Sequence, residues 1–308
     1  MGDMIAHMTA GKMLRCRLAK QEPGLSLYMP AFFLGNMGPD IFYYSLLPGK
    51  KSLMGYGDRF QVDVDIASMF RVVEAEEATA GRHKQLLFSW YAGLISHYCA
   101  DKYLHPYVES SVYERQKAGM GSNASLHGLC ETEIDIALYH KQTGRPISTF
   151  TADFLRLEAG ETQAIAEVWH KLVAALFHET VKLSQITNAI HTIPVLTFLQ
   201  LHGTSLTKPI AKAVSRFSSD GYDLSNKLKC DHPCAEILNE ERKVWRDPRH
   251  PEGVYCHSVE DILVHAAEEA QGLISTVFHR GSAADSPLIT RNFDFGYYDR
   301  LEEVLRIG

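Results

Sequence analysis

The chain contains no long uninterrupted run of apolar residues, and no stretch approaches the roughly 18 residues that a transmembrane helix requires. The N-terminal segment also lacks the basic start, the apolar run and the small-residue cleavage site of a signal peptide. Gly2 is present, but Ala6 occupies the position where an N-myristoylation signal needs Ser or Thr. We therefore expect a cytoplasmic protein.

Cysteine is sparse as well, since the 308 residues include only six, scattered along the chain. In a chain without an export signal, such cysteines are expected to be free thiols. Cys230 and Cys234 lie near His232 and His257, but their spacing matches no common zinc motif. We interpret this segment as a loop with reduced thiols rather than as a second metal site.

Basic residues are outnumbered, because 31 Lys and Arg accompany 37 Asp and Glu and the formal net charge is -6. A surface that binds nucleic acid generally needs a basic stripe, so no stable nucleic-acid complex is expected. A small cationic pocket is still compatible with this composition, because bound metal ions add positive charge that a residue count omits.

Alternating runs of β-branched residues are scarce and helical periodicity dominates, so the predicted fold class is all-α. The third predicted helix ends at Pro106, because proline breaks helices. Ser258 and Asp261 predict the first turn of the last long helix. We expect a metal-site helical core at 1–145 and a helical continuation at 146–308 that packs on it in one structural domain. Helices are predicted at about 3–20, 62–80, 83–104, 123–142, 161–183, 186–202, 207–217 and 259–279, with shorter ones within 234–244 and 296–306.

Three polar residues recur at every fourth position of the apolar segment 93–108, namely His97, Asp101 and His105. Residues four apart lie on one face of a helix, and eight residues rotate that face by only about 80°. Imidazole nitrogen and carboxylate oxygen are ligands that zinc accepts. A carboxylate between two imidazoles can also bridge two ions, one through each oxygen. The spacing therefore predicts a metal site on this helix.

Other segments offer ligands of the same kind. His127 and Glu131 have the same spacing on the next predicted helix and can grip one ion from a single face. A Gly-Pro-Asp turn presents Asp40 from a tight loop, where an acid suits a ligand or a general base. His7 lies on the first helix and, taken alone, is more simply a packed histidine. Several such elements in apolar helices favour a metal site over chance, because unpaired buried carboxylates are costly.

The order of these motifs resembles the zinc-dependent phospholipase C family, in particular its intracellular branch. The related fungal single-strand nucleases share that architecture. The resemblance is carried by an early His, a Gly-Pro-Asp loop, H-x-x-x-D-x-x-x-H and H-x-x-x-E, and it covers about residues 1–140. The segment 244–270 is a weaker match to the later part of intracellular members. The resemblance implies a cluster of two or three zinc ions.

The resemblance also implies roles for individual residues. It makes His97 and Asp101 ligands of the first ions, with Asp101 as a bridge, and it makes His7 a ligand of a third ion. Asp40 corresponds to the acidic residue that binds metal or acts as the general base on the attacking water. A second ion would be held by three protein ligands, His105, His127 and Glu131.

The chain departs from the family pattern at two places. Secreted members bind the third ion through an N-terminal Trp, whereas this chain begins with Met1. Members also carry a His shortly after the acidic loop, where this chain offers Phe60 or Gln61, and an amide is a poor zinc ligand. We therefore expect the first ion to be held by fewer protein ligands.

The predicted activity is zinc-dependent hydrolysis of a phosphate ester, with phospholipid among the candidate substrates and with peripheral contact to a membrane allowed. Two alternatives remain open, an inactive zinc-binding protein and a single-strand nuclease-like phosphodiesterase. The sequence carries no signal for the oligomeric state. Aromatic residues near the acidic loop either form an apolar wall for the substrate or pack in the core; they are Phe42, Tyr43, Tyr44 and Tyr56.

Overall fold

The computed structural model describes residues 4–45, 53–202 and 235–289. Within these ranges the predicted all-α fold is confirmed, and no β-strand is formed. The α-helices are α1 (Met4–Gln21), α2 (Met29–Gly35), α3 (Met54–Val62), α4 (Ile66–Thr79), α5 (Lys84–Lys117), α6 (Asn123–Thr143), α7 (Ala159–Phe177), α8 (Leu183–Leu201) and α9 (Val259–Arg280). Short 3₁₀ helices lie at Gly38–Tyr44, Gly81–His83, Ile147–Thr149, Asp153–Leu155 and Ala235–Leu238.

Helix α5 is central and packs against α1, α2, α6 and α9. Every residue from 89 to 108 is buried, whereas a helix at a protein surface would keep one polar face in water. The polar side chains of this stretch are therefore removed from bulk water. They must find partners in the protein or in a bound ion, because burying an unpartnered polar group is costly.

The predicted end of this helix at Pro106 is wrong, because α5 continues to Lys117. A proline inside a helix removes one hydrogen bond and costs about 3 kcal/mol. Buried apolar side chains on both sides, among them Leu104 and Val108, pack into the core and offset that cost. The continuation places Glu109 one turn beyond His105 on the same face of the helix.

Two glycines allow α2 and α5 to cross in backbone contact. A Cβ atom on Gly35 would overlap the carbonyl oxygen of Trp90, and one on Gly93 would overlap that of Phe32. Neither carbonyl can move without displacing its helix. The close crossing brings the loop that follows α2, with Asn36 and the Gly-Pro-Asp turn, directly onto α5.

Helix α9 packs on α1 and α5. The Nζ atom of Lys102, on α5, lies 2.6 Å from Oε1 of Glu269, and Tyr103 donates a hydrogen bond of 2.9 Å to the other oxygen of that carboxylate. The predicted start of α9 is confirmed, because Ser258 and Asp261 form a capping box. The division of the chain near residue 145 stays a prediction.

The other helix boundaries differ from the predictions in detail. The helix predicted at 62–80 begins at Ile66, because Asp65 caps it by accepting a hydrogen bond of 2.9 Å from N of Ser68. The helix predicted at 161–183 ends at Phe177. The predictions at 207–217 and 296–306 lie outside the described residues. Among the helices that the structure describes, none combines the length and apolar character needed to cross a membrane.

Four cysteines fall within the described ranges, and all are free thiols as expected; they are Cys16, Cys99, Cys130 and Cys256. The thiol of Cys99 lies against Glu269, and burial followed by that carboxylate raises its pKa well above the usual range. Such a thiol is unreactive. Cys230, His232 and Cys234 lie outside the described residues, so the interpretation of that segment stays a prediction.

Candidate metal centre

The carboxylate of Asp101 is surrounded by three histidines. Its Oδ1 lies 3.1 Å from Nε2 of His7, and its Oδ2 lies 2.9 Å from Nε2 of His97. Nε2 of His105 lies 3.7 Å from Oδ1. Asp101 is only 3% exposed. Burial alone would raise the pKa of Asp101, but the three imidazoles outweigh burial and hold it well below the usual range.

The loop after α2 fixes the orientation of His97. Nδ1 of His97 lies 3.0 Å from the carbonyl oxygen of Asn36. Because a carbonyl can only accept, Nδ1 carries a proton in this contact. Nε2 therefore faces Asp101 with either a second proton or a cation between the two atoms. Gly38 permits this approach, since its φ is +48° and a Cβ atom there would overlap the imidazole ring.

Helix α1 brings His7 to the same group, and α6 fixes α1. Oδ1 of Asp135, on α6, accepts hydrogen bonds of 3.0 Å from the backbone N–H groups of Ile5 and Ala6. These groups belong to the first turn of α1, where no partner exists within the helix. The ring of His7 stacks on that of His97, with centroids 4.1 Å apart. Asp135 thus holds in place the helix that carries His7.

A second convergent group joins α5 to α6 and consists of His105, His127 and Glu131. Nε2 of His127 lies 3.0 Å from Oε1 of Glu131, and the two histidine rings have centroids 5.4 Å apart. The side chain of His127 is 24% exposed, whereas His7, His97 and Asp101 are buried. The centre is therefore reached from solvent at the second group.

Glu109 forms a hydrogen bond with Nδ1 of His127, the ring nitrogen that does not face Glu131. Its Oε1 lies 2.9 Å from Nδ1, and carboxylates commonly orient metal-binding histidines in this way. Burial lowers the pKa of His127, but Glu131 and Glu109 outweigh burial and raise it to about 10. Without an ion, His127 is therefore an imidazolium between two carboxylates. A divalent cation can take the place of the proton on Nε2.

Asp40 lies beside the first group rather than in it. It is buried on the 3₁₀ helix Gly38–Tyr44, and Nε2 of Gln61 donates a hydrogen bond of 3.0 Å to its Oδ1. Burial raises the pKa of Asp40, and the nearby charge of His97 offsets this only in part. A buried carboxyl with a raised pKa is suited to accept a proton near neutral pH.

The donor atoms of both groups fit zinc. Within each group they lie within 4.8 Å of one another. Ligands about 2.0–2.2 Å from a tetrahedral zinc ion lie about 3.3–3.6 Å apart. Within the groups, the contacts of His7 and His97 with Asp101 are 3.1 and 2.9 Å and that of His127 with Glu131 is 3.0 Å, so the donor atoms need to separate by less than about 1 Å to hold an ion. Because Nδ1 of His97 carries a proton, Nε2 needs a second proton or a cation in order to face the carboxylate of Asp101. An ion held between these two side chains would supply that positive charge.

The structure brings six of the seven predicted site residues into two convergent groups, with Asp40 adjacent. Their roles as ligands or base remain predictions. Glu109, Asn36 and Asp135 support the two groups, and none of them is among the residues predicted from the sequence. Glu109 continues the four-residue spacing of α5 and could have been found from it, had Pro106 not been expected to end the helix.

Of the two alternatives left open for the aromatic residues near the acidic loop, core packing applies to two of them. Phe42 and Tyr44 are buried in the core, where the ring of Phe42 packs against those of Phe60 and Trp169. Tyr43 is half-buried, and its hydroxyl donates to Oδ1 of Asp58 at 2.5 Å. These neighbours support core packing for Phe42 and Tyr44.

These features define a class of all-α proteins in which several helices contribute imidazoles and carboxylates to adjoining groups that could hold metal ions. The family model for zinc-dependent phospholipase C matches residues 5–193, which is more than half of the 308 residues. The chain belongs to the zinc-dependent phospholipase C family, a family of hydrolases. The matched range contains both groups and Asp40. Neither the curated proteins nor the solved structures yielded a match to this chain.

Proposed function

We propose that the protein is a zinc-dependent phosphoric ester hydrolase that acts on a phosphodiester, with phospholipid as the candidate substrate class. The observation that carries this proposal is the contact between the two groups. His105 of the second group lies 3.7 Å from Asp101 of the first. Adjoining groups of this kind suit paired ions, which in hydrolases of phosphate esters lie about 3.5–4 Å apart.

The first ion site would be formed by His7, His97 and Asp101, and the second by His105, His127 and Glu131. When bound, zinc supplies Lewis acidity toward phosphoryl oxygens and lowers the pKa of a water molecule. Asp101 holds the two sites together, because its two oxygens face histidines from both groups.

Asp40 is the proposed general base. Its Oδ1 is fixed by the amide of Gln61, and its buried position raises its pKa toward the range in which a carboxylate accepts a proton efficiently. The substrate would approach from the side of His127, because that side chain is the exposed member of the two groups. Ions at the centre would neutralise the phosphate charge.

A second candidate is a metal-binding protein without turnover. The observation that favours it is the position of Gln61, whose amide bonds to Asp40 where the family resemblance leads us to expect a histidine ligand. In that case a bound ion would connect α5 to α6, and its only contribution would be to the stability of the fold.

Elemental analysis of the purified protein, combined with hydrolysis of bis(p-nitrophenyl) phosphate, separates these candidates. We expect bound zinc and hydrolysis in the wild type, loss of both in His127→Ala, and loss of hydrolysis with retained metal in Asp40→Asn. His140→Ala is the matched control, because His140 is an exposed histidine on the same helix. Zinc without hydrolysis in the folded wild type would favour the second candidate, and absence of zinc would exclude both.

A further inference from the structure

A cavity of about 410 Å³ lies against α1, separate from the candidate metal centre. Ile5, Met8 and Lys12 line it, and their spacing of three and four residues places them on one face of the helix. His7 follows Ile5 by two residues and is therefore rotated from it by about 200° around the helix axis. None of the seven predicted site residues, all of which lie within the described ranges, lines this cavity. We call it the α1 cavity.

Four aromatic side chains line the α1 cavity and contact one another; they are Phe33, Tyr139, Phe150 and Phe154. The ring of Phe154 meets those of Phe33 and Phe150 edge to face, with centroids 5.5 and 5.9 Å apart. The ring of Phe150 meets that of Tyr139 in the same way at 5.8 Å. Phe154 is 39% exposed, although burial of a large apolar side chain is favourable. The cavity therefore presents aromatic surface to a ligand in a concave site.

Lys12 is the only charged side chain among the described residues that line the α1 cavity. It is exposed, and no ion pair within the described ranges includes it. By contrast, Nη2 of Arg17, on the same helix, lies 2.7 Å from Oε1 of Glu268. The positive charge of Lys12 is therefore available to an anion that enters the cavity.

The other polar side chains at the α1 cavity have partners in the protein. Nε2 of Gln142 donates a hydrogen bond of 2.8 Å to Oγ1 of Thr9. Oγ1 of Thr143 donates one of 2.7 Å to the carbonyl oxygen of Tyr139, whose hydroxyl lies 2.9 Å from Oγ1 of Thr149. The cavity thus combines apolar surface with one cation whose charge is not neutralised. A ligand with a hydrocarbon chain and an anionic head complements both features.

We propose that the α1 cavity binds a long-chain carboxylate, with the hydrocarbon chain against the four aromatic rings and the carboxylate at Lys12. One lysine supplies one positive charge, which matches a carboxylate better than the charge of about -1.5 to -2 that a phosphate monoester carries. The volume of the cavity lies in the range of about 300–1,000 Å³ that is typical of sites for small molecules. A carboxylate is neither substrate nor product of phosphodiester hydrolysis. The site is therefore additional to the proposed function and does not depend on it.

Calorimetric titration of the metal-free full chain with octanoate, decanoate and dodecanoate tests this proposal. Removal of metal prevents the carboxylate from binding to an ion at the metal centre. Burial of each methylene should increase the affinity about three- to fourfold along this series. Affinity that does not depend on chain length would overturn the proposal. Absence of binding would also overturn it, and a dimer seen by sedimentation in that case would assign the cavity to a second copy of the chain.

Lys12→Met tests the position of the carboxylate, because it removes the charge and keeps an unbranched side chain. We expect decanoate to bind about two- to fivefold more weakly, which is the effect of losing an exposed ion pair. Binding of uncharged 1-decanol should not change. Lys20→Met is the matched control, because Lys20 is an exposed lysine in the last turn of the same helix. An unchanged affinity for decanoate in Lys12→Met, or an equal loss for both ligands, would overturn the proposal.

Met29→Trp is the second variant and tests the position of the hydrocarbon chain. Met29 lines the cavity from α2 and is half-buried, so a larger side chain there occupies space that the ligand needs. We expect dodecanoate to bind at least about tenfold more weakly, because overpacking has a cost of that size. Met120→Trp is the matched control, since Met120 is 60% exposed and does not line the cavity. A Met29→Trp protein that unfolds cooperatively and binds dodecanoate as the wild type does would overturn the proposal.

Discussion

Glu131 and Asp135 lie one turn apart on α6 and attach that helix to two different parts of the candidate centre. Glu131 approaches Nε2 of His127 at 3.0 Å in the second group. Asp135 accepts the first backbone N–H groups of α1, the helix that carries His7 of the first group. One helix therefore fixes the position of both groups, and a substitution of Asp135 should alter the position of His7 through the start of α1.

Replacing Asp135 by Ala removes the acceptor for two buried N–H groups at the start of α1. We expect a loss of about 2–4 kcal/mol in the free energy of unfolding, because each unsatisfied buried donor costs about 1–3 kcal/mol. Metal bound at the first group should fall more than metal at the second, since His7 depends on the position of α1. Urea denaturation and elemental analysis measure the two effects. Asp63→Ala, at an exposed helix end, serves as the control, and equal metal content in both variants would contradict the argument.

The sequence predicted the parts of the centre that follow from spacing along one helix. His97, Asp101 and His105 share one face of α5, and His127 and Glu131 share one face of α6, because residues four apart lie together on any α-helix. Burial followed from the apolar neighbours of these residues. These relationships are local, so no knowledge of the tertiary structure was needed.

The supporting contacts could not be predicted in the same way. The hydrogen bond from N of Ile5 to Asp135 spans 130 positions. The group of Asn36 that contacts His97 is its backbone carbonyl, which every residue type has, so the residue type at this position does not predict the contact. The helix end expected at Pro106 was wrong because packing on both sides of the proline outweighs its cost. That error also concealed Glu109, which belongs to the same spacing.

Gln61 determines the environment of Asp40, and Gln61→Leu tests this. The amide donates to the carboxylate at 3.0 Å, and a donor to the charged form lowers a carboxyl pKa. Its removal should raise the pKa of Asp40 further above the usual range, beyond the rise that burial already causes. A general base must be ionised, so activity is lost as the pH falls through its pKa. The acidic limb of the pH–rate profile should therefore move to higher pH.

Gln163→Leu, an exposed glutamine on α7, is the control for that measurement and should leave the profile of phosphodiester hydrolysis unchanged. An acidic limb that stays in place in Gln61→Leu, or moves to lower pH, would show that Asp40 is not the group whose ionisation limits the rate.

His127 should release a proton when metal binds. Its pKa of about 10 in the metal-free protein means that it is protonated at pH 8, whereas a metal ligand must be neutral. Binding at the second group should release about one proton per ion at pH 8, and affinity should increase with pH up to about 10. A histidine with an ordinary pKa near 6.5 would release almost none at pH 8. Calorimetry in two buffers of different ionisation enthalpy counts these protons.

The same pKa fixes the sign of a stability effect in the metal-free protein. The folded value of about 10 lies above the usual value of about 6.5 in an unfolded chain. The stabilisation by charged His127 is therefore complete below about pH 6.5 and is lost as the pH rises through about 10. The difference in unfolding free energy between the wild type and His127→Ala should shrink over this window. A difference that grows with pH would mean that His127 is neutral in the folded protein.

Gly93→Ala should separate α2 from α5 and disturb the first group selectively. A Cβ atom at this position would overlap the backbone carbonyl oxygen of Phe32, so the two helices must move apart. Overpacking of this kind costs about 1–3 kcal/mol. The displacement would also carry the carbonyl of Asn36 away from Nδ1 of His97, which it holds at 3.0 Å. Metal at the first group should therefore be lost before metal at the second.

The matched control for this substitution is Gly160→Ala. Gly160 lies in the first turn of α7, and a Cβ atom there would meet nothing within 4 Å. Alanine is favoured over glycine in helices by roughly 1 kcal/mol, so this variant should be neutral or slightly more stable. Urea unfolding and metal analysis of both variants complete the test. If Gly93→Ala kept the stability and the metal content of Gly160→Ala, the close crossing of α2 and α5 would not be what holds His97 in place.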